Sequence, residues 1–257
     1  MIVGVDVVNT GRNSIMGMAA TYTQDLMQHF SGIVEHDQFK DMIKKGASKH
    51  EQEQKLCESR AQILSQFLQA AFQQYCSSNS GKRPELIIIY RDGIGGPTFQ
   101  DKVLQLEGPS GALQAAIQGF AQNYKPKILY IFVNKKITTR IFEKVNGEVI
   151  NPGPGTLADT GIVEEDGDKT FDFYLIANDN PKTATALPVH YQVAMNTSGL
   201  TKEEIEELTY QQCYSYFGFG GPIKVPASVK YAEKLANYAN DTKAQPNVKL
   251  SNRLHFL

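Results

Sequence analysis

The sequence has few cysteines, almost no net charge and no long hydrophobic stretch. Its three cysteines, Cys57, Cys76 and Cys213, are odd in number and form no CxxC pair, so we expect reduced thiols in an intracellular protein. No apolar run approaches the roughly 20 residues of a transmembrane helix, which argues against a membrane protein. The formal net charge of −1 mildly disfavours a free-standing nucleic-acid binder, which is usually basic, although a local basic groove remains open.

The sequence does contain several short, nearly pure apolar segments. Residues 2–8, 86–90 and 128–133 are typical of strands buried in a mixed or parallel sheet. Apolar residues at helical spacing predict a helix over 56–75, and a second helix is expected over 110–124. A helix between two buried strands implies a right-handed crossover. The sequence therefore predicts the α/β class, with a mixed sheet flanked by helices.

Weaker patterns complete this outline. Residues 14–22 and 28–34 predict two further strands in a meander, and the polar segment 40–53 is expected to be an exposed excursion. In the second half, strands are expected at 160–165, 170–178 and 189–195. Thr201, with Glu204 at the capping-box position, begins a helix that is expected to run to about residue 217. A last helix is expected from Pro226 to about residue 238.

Two aspartates lie beside strands that would bury them. Asp6 is flanked by valines, and Asp92 follows the apolar segment 86–90 and precedes Gly93. Burying an unpaired carboxylate is costly, so each needs a metal, a cation or a set of hydrogen bonds. The simpler alternatives are a strand-end carboxylate held by backbone amides for Asp6 and a turn-forming Asp-Gly pair for Asp92. If the two strands pair, the carboxylates and a third ligand could hold two Mg²⁺ ions, which would support two-metal hydrolysis of a phosphodiester.

His190 is a candidate for that third ligand. It is one of only five histidines and lies near the start of the strand expected at 189–195. Its imidazole could reach a metal only if this strand lies close to the first one, which periodicity does not establish. A structural histidine is the alternative.

Taken together, these segments resemble the PIWI domain of the Piwi branch of Argonaute proteins over essentially the whole chain. The segments that carry the resemblance are 4–7, 89–93, 133–140, 151–156 with Asp159, 188–191, 208–214 and 223–235. The resemblance implies a ribonuclease H-like fold. It also implies a guide-RNA-directed RNA endonuclease, or slicer, that acts in RNA-mediated gene silencing and depends on Mg²⁺ or Mn²⁺.

The resemblance also implies a set of site residues. Asp6 and Asp92 match the two catalytic aspartates, and His190 is taken as the fourth catalytic residue, so that Asp6, Asp92 and His190 would bind metal. The remaining catalytic glutamate is best matched by Glu58, with Glu51 and Glu53 as rivals. The alternative for Glu58 is an exposed position on the helix.

Further residues are implied to contact the guide. Lys135, Lys136 and Arg140 resemble a basic segment near the guide backbone, where they would bind phosphates without reading sequence. A solvated charged turn is the alternative. The terminal Leu257 resembles the apolar carboxyl terminus that tucks in near the 5′ phosphate of the guide, where its carboxylate would help to hold a metal. A tail that docks on the core is the alternative.

Residues 1–257 are expected to form one PIWI domain. Because the first residues already form a core strand, we expect this domain to be cut from a longer chain, without its N-terminal, PAZ and MID domains. The expected partners are a small guide RNA, a complementary target RNA and the remaining Argonaute domains. We expect no membrane partner, a monomer, and a location in the cytoplasm, the nucleus or both.

Three alternatives stay open. The domain could bind guide and target without cleavage and silence through partners. It could be another ribonuclease H-like nuclease, such as a transposase or resolvase acting on DNA, although the segment 210–235 disfavours this. It could also be a scaffold of the same fold that binds no substrate.

Overall fold

A large mixed β-sheet forms the centre of the computed structural model, which describes residues 1–10, 13–36, 48–93, 97–167, 169–178 and 184–257. In this part of the chain the strands run in the order β3-β2-β1-β4-β5-β11-β10-β8, and β9 pairs with β10. The strands are β1 (Ile2–Thr10), β2 (Asn13–Thr21), β3 (His29–His36), β4 (Leu86–Asp92), β5 (Lys127–Asn134), β8 (Thr156–Ala158), β9 (Glu165–Asp166), β10 (Thr170–Ile176) and β11 (Val189–Asn196). A separate hairpin consists of β6 (Glu143–Val145) and β7 (Glu148–Ile150).

Helices cover both faces of this sheet. They are α1 (Lys49–Ser78), α2 (Pro97–Glu107), α3 (Ala112–Phe120), α4 (Lys202–Gln212) and α5 (Ala227–Thr242), followed by a 3₁₀ turn at Val248–Leu250. One core includes Val5 of β1 with residues of α1, α2 and α3. The core on the other face includes Tyr90 of β4 with Ile205 of α4 and Val229 of α5. Since side chains alternate along each strand, β1 and β4 contribute to both cores.

The predicted α/β class and the central strands are confirmed. Strand β4 is parallel to both β1 and β5, as the pure apolar composition of these segments indicates. Among the described residues, no helix is long and apolar enough to cross a membrane.

Several element boundaries differ from the sequence predictions. Helix α1 begins at Lys49, within the expected excursion, because Ser48 and Glu51 form a capping box ahead of the first apolar residues. Residues 37–47 lie outside the described residues. Helix α2 was not predicted, and α4 ends at Gln212. The predicted strand at 160–165 is wrong, since β8 ends before this range and β9 begins only at its last residue, Glu165.

Helix α5 lies unusually close to β1 and β2 because two strand positions are glycines. A Cβ at Gly4 would lie 2.1 Å from the carbonyl carbon of Ser228, and one at Gly17 would lie 2.0 Å from the carbonyl oxygen of Ala232. Any larger residue would therefore force the helix off the sheet. This close packing fixes the residues that follow Ala232 relative to Asp6.

Candidate functional site

Asp6 and Asp92 lie side by side at the ends of two parallel strands. Val5 pairs with Arg91 in the β1–β4 register, so the next residue on each strand is one of the two aspartates. Both are buried, with 4% and 3% of their surface exposed. Asp6 Oδ1 accepts a hydrogen bond from the Val7 amide at 2.8 Å, and Asp92 Oδ1 accepts one from the Gly93 amide at 2.6 Å. The two Oδ2 atoms remain for another partner.

Gly93 allows the end of β4 to approach Asp6. It has a φ of +79°, and a Cβ there would lie 2.8 Å from the Val7 nitrogen and 3.1 Å from Asp6 Oδ1. Only glycine adopts this conformation at no steric cost. Asp92 is therefore a buried carboxylate at the end of β4, and Gly93 supplies the left-handed backbone conformation directly after it.

The partner of the two aspartates is the ammonium of Lys135, which follows β5. Lys135 Nζ lies 2.6 Å from Asp92 Oδ2, 3.0 Å from Glu233 Oε2 and 3.7 Å from Asp6 Oδ2. Glu233, on α5, also pairs with Lys230 at 2.8 Å. Three carboxylates from β1, β4 and α5 thus surround one cation.

Sequence reasoning missed Glu233. A glutamate within a helix is ordinarily solvated. The sequence around Glu233 does not indicate that Glu233 points to the site while the neighbouring Lys234 is exposed. Its place at the site depends on the close contact between α5 and the sheet at Gly4 and Gly17.

The burial of these charges shifts their pKa values. Burial, together with the Asp6 charge, raises the pKa of Asp92 to about 6. Burial also raises the pKa of Asp6. For Lys135, burial alone would lower the pKa, but the carboxylates of Asp92 and Asp6 outweigh it and raise the pKa. The pKa of Glu233 is lowered because hydrogen bonds from Lys230 and Lys135 outweigh its burial. The site therefore favours a bound cation.

Two cavities adjoin this cluster. The first, of about 480 Å³, is lined by residues that include Asp6, Asp92, Lys136 and Glu233. The second, of about 520 Å³, shares Lys135 and Glu233 with it and is also lined by Phe219, Lys224 and Lys230. A carboxylate cluster therefore opens directly onto a surface rich in lysine.

The carboxylates suit a hard divalent cation by their chemistry. Mg²⁺ prefers oxygen ligands, and buried Asp92 Oδ2 accepts no hydrogen bond of ordinary geometry although Lys135 lies beside it. Within the described ranges, no group of three or more His, Cys, Asp or Glu side chains is arranged to hold a metal ion. The carboxylate oxygens of Asp6, Asp92 and Glu233 are ligands of the type that such an ion binds. In this structure the ammonium of Lys135 lies between them.

The structure does not bring His190 to this site. The next residue, Tyr191, is fully buried in the same core as Tyr90. Because successive strand side chains point to opposite faces, His190 points away from the two aspartates. Its Nε2 contacts the Asp172 carboxylate, and its ring stacks on Tyr174 with centroids 4.4 Å apart. The prediction that His190 joins Asp6 and Asp92 as a metal ligand is wrong, and the structural alternative fits.

Glu58 does not reach the aspartates either. It is exposed on α1 and accepts a hydrogen bond from Gln54 at 3.0 Å. Helix α1 packs on the face that carries Val5, opposite the face of Asp6. Of the rivals, Glu51 belongs to the capping box of the same helix, and the side chain of Glu53 lies outside the described residues. The exposed alternative for Glu58 is therefore the observed one.

The predicted guide-contacting residues divide into different environments. Lys135 points into the carboxylate cluster rather than outward. Lys136 is exposed at the rim of the first cavity, and the exposed Arg140 donates hydrogen bonds to the carbonyls of Ile137 and Thr139.

At the carboxyl terminus, Phe256 is buried against α5 residues such as Tyr231, whereas Leu257 is 53% exposed. The docked-tail alternative therefore describes Phe256.

The chain is similar to known proteins over its whole length. The family model for the Piwi domain matches residues 1–243. Piwi-like protein 1 of Danio rerio is 30% identical over 261 residues, which cover 100% of this chain and 27% of that protein. Piwi-like protein Ago3 of Bombyx mori is 34% identical over 262 residues, covering 100% of this chain and 25% of that protein. The chain thus spans about a quarter of the length of the curated relatives it matches.

Solved structures agree with this similarity. The crystal structure of Drosophila Piwi matches with a TM-score of 0.73 and 25% identity, covering 100% of this chain and 32% of that chain. The structure of Kluyveromyces polysporus Argonaute with a guide RNA matches with a TM-score of 0.71 and 20% identity, covering 100% of this chain and 30% of that chain. At such identity the second likeness shows the fold alone. The ribonuclease H-like α/β fold is confirmed.

Proposed function

The chain belongs to the Piwi domain family, within the Piwi branch, and from that premise we propose that it is the guide-RNA-directed endoribonuclease domain of a Piwi protein. Its activity would be the hydrolysis of a phosphodiester in a target RNA paired to the guide. The rest of the relatives' length would correspond to the N-terminal, PAZ and MID domains, which we propose as its partners within one protein.

The observation that carries this proposal is the meeting of Asp6, Asp92 and Glu233 around a single cation. Their elements are remote in sequence, yet the fold brings three buried or half-buried carboxylates to one point. Burying such groups is costly, so a cation-binding role accounts for them better than a structural one.

Asp6, Asp92 and Glu233 would hold the divalent ion. Bound there, Mg²⁺ or Mn²⁺ would activate a water molecule and stabilise the leaving 3′ oxygen. The chain's own contribution is to fix the carboxylates: backbone amides of Val7 and Gly93 hold one oxygen of each aspartate, and α5 holds Glu233. The products would carry a 3′ hydroxyl and a 5′ phosphate.

The RNA backbone would lie across the adjoining basic surface. Lys224 and Lys230 line the cavity that shares Lys135 with the carboxylate cluster. Burial, with a smaller contribution from the nearby cations Lys135 and Arg140, lowers the pKa of Lys224. Contacts between phosphates and these lysines would position the duplex, while base pairing would supply the sequence specificity.

The test is cleavage of a guide-matched RNA by the purified, guide-loaded protein in Mg²⁺ or Mn²⁺. We expect cleavage by the wild-type protein and its loss in Asp92→Asn, which keeps the size of the side chain and removes its charge. A target that does not match the guide is the control. Equal cleavage by Asp92→Asn and the wild-type protein would contradict the assignment of Asp92 to the catalytic site.

A second candidate is a guide- and target-binding module without cleavage. The observation that favours it is Lys135, whose ammonium already contacts the carboxylates. It predicts guide-dependent binding of target RNA, with no cleavage in either Mg²⁺ or Mn²⁺.

A further inference from the structure

Lys135 takes the position that a bound cation would use. Its ammonium contacts carboxylates from β1, β4 and α5, and its shortest contact, 2.6 Å, is to Asp92 Oδ2. This is the oxygen that accepts no hydrogen bond of ordinary geometry. An ammonium and a divalent ion that share these oxygens repel each other, so the two cannot occupy the cluster together.

The two lysines at the cluster do not neutralise its three carboxylates. Asp6, Asp92 and Glu233 carry three negative charges when ionised, whereas the ammonium groups in contact with them belong to Lys135 and Lys230. A divalent ion in place of Lys135 would neutralise the cluster more completely. Exchange of one cation for the other is therefore electrostatically reasonable.

The side chain of Lys135 has space to move away from the carboxylates. It follows the last residue of β5, and 24% of its side chain is exposed. It also lines the cavity of about 520 Å³ with Lys224 and Lys230. A lysine has a flexible four-carbon stem, so its ammonium could turn from the carboxylates toward an anion in that cavity.

We propose that Lys135 is an internal counterion that competes with the divalent metal for Asp6, Asp92 and Glu233. In this role it is a positioning residue that sets how tightly the site binds metal. The inference rests on the metal site proposed above. It predicts that the site is charge-paired and resistant to metal until Lys135 is displaced.

The experiment is isothermal titration of the protein with Mn²⁺ in the absence of RNA. We expect Lys135→Met to lower the Kd for Mn²⁺ at least about tenfold relative to wild type, and Lys135→Arg, which keeps the charge, to bind as weakly as wild type. Lys234→Met is the matched control, since it removes one exposed positive charge next to Glu233 and should leave the Kd unchanged. If Lys135→Met is poorly folded, Lys135→Gln replaces it, and Mn²⁺-dependent thermal stabilisation provides the same comparison.

The outcomes separate this inference from the proposed function. If wild type and Lys135→Met bind Mn²⁺ equally, and Asp92→Asn does not bind it, the metal site stands and the counterion role is overturned. If none of the variants binds Mn²⁺, the metal site and the counterion role both fail. If Lys234→Met lowers the Kd for Mn²⁺ as much as Lys135→Met does, the effect comes from the net charge of the protein. That result would also overturn the inference.

Discussion

The backbone of Ser228 lies where a side chain at Gly4 would have to be. The 2.1 Å approach between the position of a Gly4 Cβ and the Ser228 carbonyl carbon places α5 directly on β1, two residues before Asp6. Through this contact a residue with no side chain determines where Glu233 meets the aspartates.

Gly4→Ala is expected to displace α5 and destabilise the protein. The added methyl meets backbone rather than a flexible side chain, so the free energy of unfolding should fall by about 3 kcal/mol or more. Urea denaturation measures this loss. Gly153→Ala is the control, because nothing lies within 4 Å of a Cβ there, and it should change stability by less than about 0.5 kcal/mol.

The ion pair between Arg91 and Glu107 lies on the sheet face opposite the two aspartates. Arg91 Nε lies 2.5 Å from Glu107 Oε2, and both side chains are essentially inaccessible to solvent. Removing one partner of such a pair costs about 3–5 kcal/mol because a buried charge is left unpaired. Glu107→Gln should cost more than Arg91→Met, since it leaves Arg91 near the buried Arg60.

A double-mutant cycle tests this prediction by urea denaturation. The double variant Arg91→Met, Glu107→Gln should be more stable than Glu107→Gln alone, because it leaves no member of this ion pair charged and unpaired. Additive losses in the double variant would contradict the assignment of the cost to unpaired charge.

His29 is expected to make the fold sensitive to acid. Burial lowers its pKa to about 4, whereas the unfolded residue titrates near pH 6.5. Above pH 6.5 both states are neutral and His29 adds no pH dependence. Between pH 6.5 and pH 4 the unfolded state gains the proton first, so about 3 kcal/mol of stability should be lost.

The measurement is the difference in unfolding free energy between wild type and His29→Phe across this pH range. The variant keeps a ring against Tyr231, which lies 4.6 Å from His29 between centroids, but it cannot titrate. The difference should change toward acid pH and stay constant above pH 7. A constant difference at all pH values would contradict a buried neutral histidine.

The central strands could be predicted because their sequence is sufficient to define them. β1, β4 and β5 are buried on both faces, so they are nearly pure apolar runs, and Asp6 and Asp92 stand out among their few charged residues. Their proximity then follows from parallel pairing.

The other site residues could not be predicted because their positions depend on tertiary contacts. His190 belongs to the strand predicted at 189–195, but the structure pairs that strand with β5, in a register that places the His190 side chain on the face opposite the aspartates. Glu233 lies on a helix whose distance from the sheet is set by two glycines. Neither the strand register nor the helix–sheet distance can be read from the residues that flank His190 or Glu233 in the sequence.

Glu233, rather than His190 or Glu58, should contribute to metal binding. Glu233→Gln removes a charge 3.0 Å from the cation at the centre of the cluster and is expected to raise the Kd for Mn²⁺ by roughly tenfold or more. His190→Asn and Glu58→Gln should leave that Kd unchanged, because His190 contacts Asp172 and Glu58 is exposed on α1. Calorimetric titration of the three variants, each checked for a wild-type melting temperature, makes the comparison. Metal binding that survives Glu233→Gln but is lost in folded His190→Asn would restore the histidine to the site and remove the glutamate from it.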